Sequence, residues 1–111
     1  MLSKTTKEQK VKKISNSRVG YHIQTRREFI TNTGSMYGQR LGENGFVVYS
    51  YGPDWPLALW NGRFWLLNTE RKTATTNRHN AITRLACADY VGAPKLEVEH
   101  AIKRMHREAN A

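Results

Sequence analysis

The run Phe46-Val47-Val48-Tyr49-Ser50-Tyr51 constrains this chain more than any other segment. Its β-branched and aromatic residues favour an extended backbone. Apolar side chains fall on both alternating faces, which predicts a central strand. Gly52-Pro53-Asp54 ends it. Leu57-Ala58-Leu59-Trp60 and Arg63-Phe64-Trp65-Leu66-Leu67 then flank Asn61-Gly62, the dipeptide of a tight type I′ turn, so a hairpin follows. Pro56, which lacks a backbone donor, places the start of the first arm there or puts that arm at an edge.

Upstream, Val19, Tyr21, Ile23 and Thr25 alternate with His22, Gln24 and Arg26, and this period of two predicts a half-buried strand. Phe29-Ile30 extends it or begins a return. Thr31–Ser35 is a turn cluster, Met36-Tyr37 a short strand, and Gly38, Gly42, Asn44 and Gly45 mark a loop.

Downstream, Ile82, Leu85, Ala86 and Tyr90 recur at helical spacing, predicting a helix from Thr75-Thr76 to about Val91, with Thr76 or Asn80 as N-cap and Gly92 just past its end. Pro94 suits the first turn of a second helix. There Val98, Ala101, Ile102 and Met105 form the buried stripe, and Glu99 and Lys103 form a favourable i, i+4 pair. The expected class is α+β: a small antiparallel sheet of about four strands followed by two C-terminal helices on one face.

Composition sets the class of function. In 111 residues, Lys and Arg exceed Asp and Glu by 18 to 9, a net charge of +9. The segment from Met1 to Arg18 holds Lys4, Lys7, Lys10, Lys12, Lys13 and Arg18 against Glu8, so it alone carries +5. It reads as a mobile basic arm, residues 1–18, preceding one folded domain, residues 19–111. A protein this basic is expected to meet a polyanion or an acidic protein surface. No apolar run approaches the ~18 residues that span a bilayer, and no apolar signal-peptide centre follows Met1, so no membrane partner is expected. Cys87 is the only cysteine, which precludes an intrachain disulfide and fits a reducing cytoplasm.

Thr25-Arg26-Arg27-Glu28-Phe29, Asn32-Thr33-Gly34-Ser35, Phe46–Gly52, Trp55-Pro56-Leu57-Ala58, Gly62, Trp65, Asn68 and Thr75-Thr76-Asn77-Arg78-His79 together resemble a family of small bacteriophage proteins of unknown function. The family shows a Tyr-Ser-Tyr-Gly strand, then a Trp-containing strand, then a Thr-Thr-Ser-Arg-His-like segment. The chain departs from it at Asn77, where Ser is expected, in the Lys-rich N-terminus and in the C-terminal helix. The resemblance implies a viral origin, a β-rich core and the cytoplasm of a bacterial host, and no particular chemistry.

Catalytic and metal constellations are missing from the pattern. His100 and His106 are six apart, whereas a helical ligand pair needs a spacing of three or four. Cys87 lies in an apolar stretch and reads as a buried structural thiol. No phosphate-binding loop or paired carboxylates occur. The chain is therefore expected to be a non-enzymatic binding protein without cofactor or metal. The leading partner is DNA or RNA, bound with low sequence specificity. The alternative is a modulator that docks on a host protein.

Two contact surfaces are expected. The first joins Lys10, Lys12, Lys13 and Arg18 of the arm to Arg71, Lys72, Thr75, Thr76, Arg78 and His79, on the premise that a helix beginning there points free N–H groups at an anion. The second is any exposed sheet aromatic beside Arg63 or Arg71, which would stack on bases. Phe64 and Trp65, as strand neighbours, cannot share one face.

Overall fold

A computed structural model describes residue 11 and residues 13–110. The strands are β1 (Lys13–Ile14), β2 (Phe29–Thr31), β3 (Met36–Leu41), β4 (Gly45–Ser50), β5 (Pro56–Trp60), β6 (Trp65–Asn68) and β7 (Val91–Ala93). They form one seven-stranded sheet in sequential order. A 3-10 turn at Asn16–Arg18 and helix α1 (Val19–Gln24) join β1 to β2, α2 (Ala74–Ala86) joins β6 to β7, and α3 (Lys95–Ala109) ends the described chain. The five inner strands run antiparallel, while β1 pairs with β2, and β6 with β7, in parallel.

This mixed sheet overturns the expected four-stranded antiparallel sheet followed by two helices. Helices cover both faces. On face one, α1 and α2 lie over Phe29, Met36, Phe46, Val48, Trp65 and Leu67; on face two, α3 lies over Val47, Leu59 and Leu66. The central strand β4 alternates between them, Phe46, Val48 and Ser50 inward on face one, Val47 and Tyr49 on face two. Gly38 sits on face one where a Cβ would approach Phe29 to 2.6 Å and Phe46 to 2.8 Å, so only glycine lets these rings meet over β3.

The expected strand from Val19 is helix α1. Val19 and Ile23 are four apart, a spacing that suits both periods, and both are buried; Tyr21, which a strand would turn inward with them, is 56% exposed. Lys13 and Ile14, assigned to the mobile arm, instead pair with Ile30 and Thr31. Met36-Tyr37 opens a six-residue strand that continues through Gly38, expected to lie in a loop.

The hairpin exists with a longer turn. Trp60 pairs with Trp65, so four residues intervene, and Asn61 Oδ1 accepts the Arg63 and Phe64 backbone N–H groups at 2.9 and 3.0 Å. Phe64 thereby leaves the strand.

The N-cap of helix α2 is Thr73, whose Oγ1 accepts the Thr76 N–H at 3.1 Å, and not Thr76 or Asn80. The helix ends at Ala86; Gly92 lies inside β7, not at a helix end. Its buried side is Thr76, His79, Thr83 and Ala86, whereas Leu85 is 84% exposed. In α3 the expected apolar stripe packs on the sheet, Pro94 is the N-cap, and Glu99 pairs with Lys95 at 2.9 Å in place of Lys103. Among the described residues, no helix is long and apolar enough to cross a membrane.

Candidate nucleic-acid interface

The segment 75–79 turns mainly inward. Ser50 Oγ lies 2.8 Å from His79 Nδ1 and 3.5 Å from Thr76 Oγ1, and Thr73 Oγ1 donates to Thr76 Oγ1 at 3.0 Å. Ser50, Thr76 and His79 are buried. Burial, and then the neighbouring Arg78 charge, holds the His79 pKa below its ordinary value, so the ring is a neutral partner of the serine. Tyr51, in a left-handed conformation with φ 68°, sets its ring 5.7 Å from the imidazole. The Tyr-Ser-Tyr-Gly and Thr-Thr-x-Arg-His segments thus meet in one clasp between β4 and α2.

The expected anion cradle is not assembled there. The Thr76 N–H belongs to Thr73, and the Asn77 N–H to the Thr73 carbonyl. Thr75 is half-buried, and Arg78 stays exposed without Thr76 or His79 beside it on the surface. Arg71 is exposed on the β6–α2 connection. Lys72 Nζ rests 4.8 Å from the Trp55 ring centre, with Lys95 Nζ 5.4 Å from the same ring. Lys13 is exposed on edge strand β1 and Arg18 on the 3-10 turn, whereas Lys10 and Lys12 lie outside the described residues.

Face two offers a different surface. On β3, the pleat sends Met36 and Gly38 to the core and Tyr37, Gln39 and Leu41 to the other side. Tyr37 lies opposite Tyr49 of β4, and their rings stack with centres 5.0 Å apart and planes 26° from parallel. Burial raises both phenol pKa values; Asp54 adds to the rise at Tyr37, and Tyr37 to that at Tyr49. Both rings are therefore neutral hydroxyl-bearing platforms.

Helix α3 packs on this face against β3, β5 and β6. At Gly45 a Cβ would come within 2.6 Å of the Leu41 carbonyl oxygen and 2.7 Å of the Met105 methyl, so the backbone oxygen excludes a side chain there. Beyond the helix, an open groove of about 860 Å³ has Gln39, Val47 and Tyr49 on its floor and Ile102, Lys103 and Arg107 on its wall. Arg40, His106 and Asn110 also line it, and among the described residues no Asp or Glu side chain does. Gln39 leads onward into a second hollow of about 630 Å³ over Ile30 and Tyr37, with Lys13 and Glu28 at its border. Among the described residues α3 touches β3, where Leu41 joins the cluster beneath the helix, and no helix packs closely over β1 and β2 on this face.

Gln39, Arg40, Lys103 and Arg107 stand outside both contact surfaces expected from the sequence. Two signals could have found this groove: the alternation Tyr37-Gln39-Leu41, and the cations Lys103 and Arg107 flanking the apolar stripe of α3 at a spacing of four. Nothing short of the fold brings the two together. Cys87 is a buried thiol, as expected, with its pKa pushed up to about 12 by burial, and is held mostly unreactive. Comparison with family models, curated proteins and solved structures finds no match to this chain.

Proposed function

We propose that this protein binds nucleic acid with low sequence specificity through the open half of face two. One observation carries the reading: Tyr49, stacked on Tyr37, adjoins Lys103 and Arg107 in a groove that, among the described residues, no acidic side chain lines. Aromatic faces accept any base, and cations track the phosphates, so such a surface discriminates little between sequences. The basic segment from Lys4 to Lys13 adds affinity of the same sequence-independent kind. The protein acts by binding and not by catalysis, in keeping with neutral, inward-turned Ser50 and His79.

Fluorescence anisotropy with labelled oligonucleotides, titrated at low and high salt, tests the reading. Binding is expected to weaken by about 0.7–0.9 log units per phosphate neutralised for each log unit of salt. Lys103→Glu and Arg107→Glu are each expected to lower both the affinity and that slope. Absence of binding to single- and double-stranded probes alike at low salt would overturn it.

A further inference from the structure

The groove on face two does not stop at the end of α3. Arg40, at its border, also lines a cleft of about 400 Å³ across the β3–β4 and β5–β6 turns, together with Arg26 and Trp60. Arg26 and Trp60 in turn line a third cleft of about 420 Å³, which continues on face one past Arg63, Phe64 and Leu85. Shared residues therefore join three hollows into one path, from Tyr49 around the turn edge to the far ends of α1 and α2.

The residues along this path are poised in unusual ways. Arg26 holds a left-handed backbone, φ 54°, a conformation that costs a non-glycine residue energy and persists where the surroundings impose it. Its guanidinium lies 4.5 Å from the Trp60 ring centre and is tied to the Gln24 carbonyl at 3.1 Å. The Arg40 guanidinium is tied to the Glu43 carbonyl at 3.0 Å. Neither guanidinium forms an ion pair: among the described residues the one ion pair joins Lys95 to Glu99. Both are positioned by backbone acceptors, while Glu43 and Asp89 line the two clefts and the Arg40 backbone N–H donates to Glu28 Oε2 at 2.9 Å. Three arginines, Arg26, Arg40 and Arg63, thus outnumber the acids that line these clefts. Phe64 is 40% exposed and Leu85 84% exposed beside them, so apolar surface accompanies the charge at this end too.

We propose that this path is a track for single-stranded nucleic acid, with one stacking station at Tyr37–Tyr49 and a second at Trp60. The proposal rests on the interface reading above and names its ligand class. The shape of the path selects the strand. It turns from one face of a single sheet to the other, whereas a duplex stays stiff over ~150 base pairs and resists bending even over a 20–30 base-pair site. A single strand, with rotatable bonds between unstacked bases, follows such a turn and presents successive bases to separated rings. A short oligomer fills one station only; a longer one reaches both.

The test uses the full chain with labelled oligothymidylates and oligouridylates of 4, 8, 12 and 16 nucleotides and a 12-base-pair duplex, at one low salt concentration. Affinity is expected to rise with length beyond the tetramer, and the 12-mer single strand is expected to bind more tightly than the duplex. Trp60→Leu is expected to weaken the 12-mer about five-fold or more and to leave the tetramer unchanged. Arg26→Gln, which keeps Trp60 in place, is expected to act in the same direction, so the result does not depend on how well the Leu variant packs. Quenching of tryptophan emission by the 12-mer is expected to shrink in Trp60→Leu.

If oligonucleotides bind but the duplex binds as well as the single strand, the track is overturned. The same holds if both substitutions leave 12-mer affinity unchanged. In either case the interface on face two still stands. Absence of binding by every probe removes the interface and the track together.

Discussion

On face one, Phe46 and Val48 of β4 are fully buried beneath α1 and α2; on face two of the same strand, Tyr49 is half-buried at the edge of an open groove. The difference lies in what covers each side. Face one receives two helices that touch each other, and even its polar residues are drawn inward, Ser50 bonding to His79 and Thr76. Face two receives one helix, over Val47, Leu59 and Leu66, and beside it Tyr49, Lys103 and Arg107 line an open groove. Face one and the part of face two beneath α3 thus carry the core, and the open groove beside α3 is the surface proposed for binding. Substitutions on face one should move the unfolding transition, and those in the open groove should move affinity.

The largest effect is expected from Phe46→Ala. It removes a fully buried ring from the centre of face one and should cost about 3–5 kcal/mol in urea unfolding. Tyr37→Ala on face two should cost no more than about 0.5–1.5 kcal/mol, the worth of one aromatic pair, and should weaken oligonucleotide binding. Equal destabilisation by the two would erase the distinction.

Gly38→Ala comes next. Its added methyl would meet Phe29 and Phe46 rings held in a packed core, and overpacking of this kind costs about 1–3 kcal/mol. Thermal unfolding reads it. Unchanged stability would mean that the two rings give way and that face one is looser than its burial indicates.

Ser50→Ala leaves a buried imidazole nitrogen without its partner and should cost about 1–3 kcal/mol. The same clasp predicts acid sensitivity. The His79 pKa is lowered in the folded protein, while in the unfolded chain it lies near ~6.5. Below that value the unfolded state takes up the proton first. The stabilisation is therefore complete above about pH 6.5 and is lost as pH falls through the folded pKa. Melting temperature measured from pH 8 to pH 5 should show this loss in the parent, and His79→Gln should lack that component.

The smallest stability change is expected for Lys103→Glu and Arg107→Glu, each within about 0.5 kcal/mol because both side chains are exposed or border open space. Their salt-sensitive affinity should nevertheless fall. Arg78→Glu, outside the groove, should cost affinity no more than reversing any single exposed cation. A larger loss than at Lys103 would move the interface to the start of α2.

Several elements were legible because their signal is local. The strand β4 needs only its own alternation and side-chain types, and α3 needs only its stripe at Val98, Ala101, Ile102 and Met105. Burial of Cys87 followed from its apolar neighbours. α1 was not legible: Val19 and Ile23 fit two periods, and the deciding residue, Tyr21, is large and apolar yet points to solvent. β1 and β7 hold two and three residues, too few for a pattern, and exist because β2 and β6 offer them parallel partners.

For the candidate site, the sequence by itself determined an excess of cations, a set of aromatic strands and a Ser-His-Thr pair of motifs. It located the charge in the arm and near Arg71–His79, because neighbours in sequence were the only neighbours visible. Tertiary structure decided which of these groups share a surface. Arg40, Tyr49 and Lys103 come from β3, β4 and α3 and border one groove, while Thr76 and His79, adjacent in sequence to Arg78, are withdrawn from it by a hydroxyl on β4. The physical reason is that pleat and helix phase set the direction of each side chain, whereas the closure of long loops sets its company. Only the first can be read from a short stretch of chain.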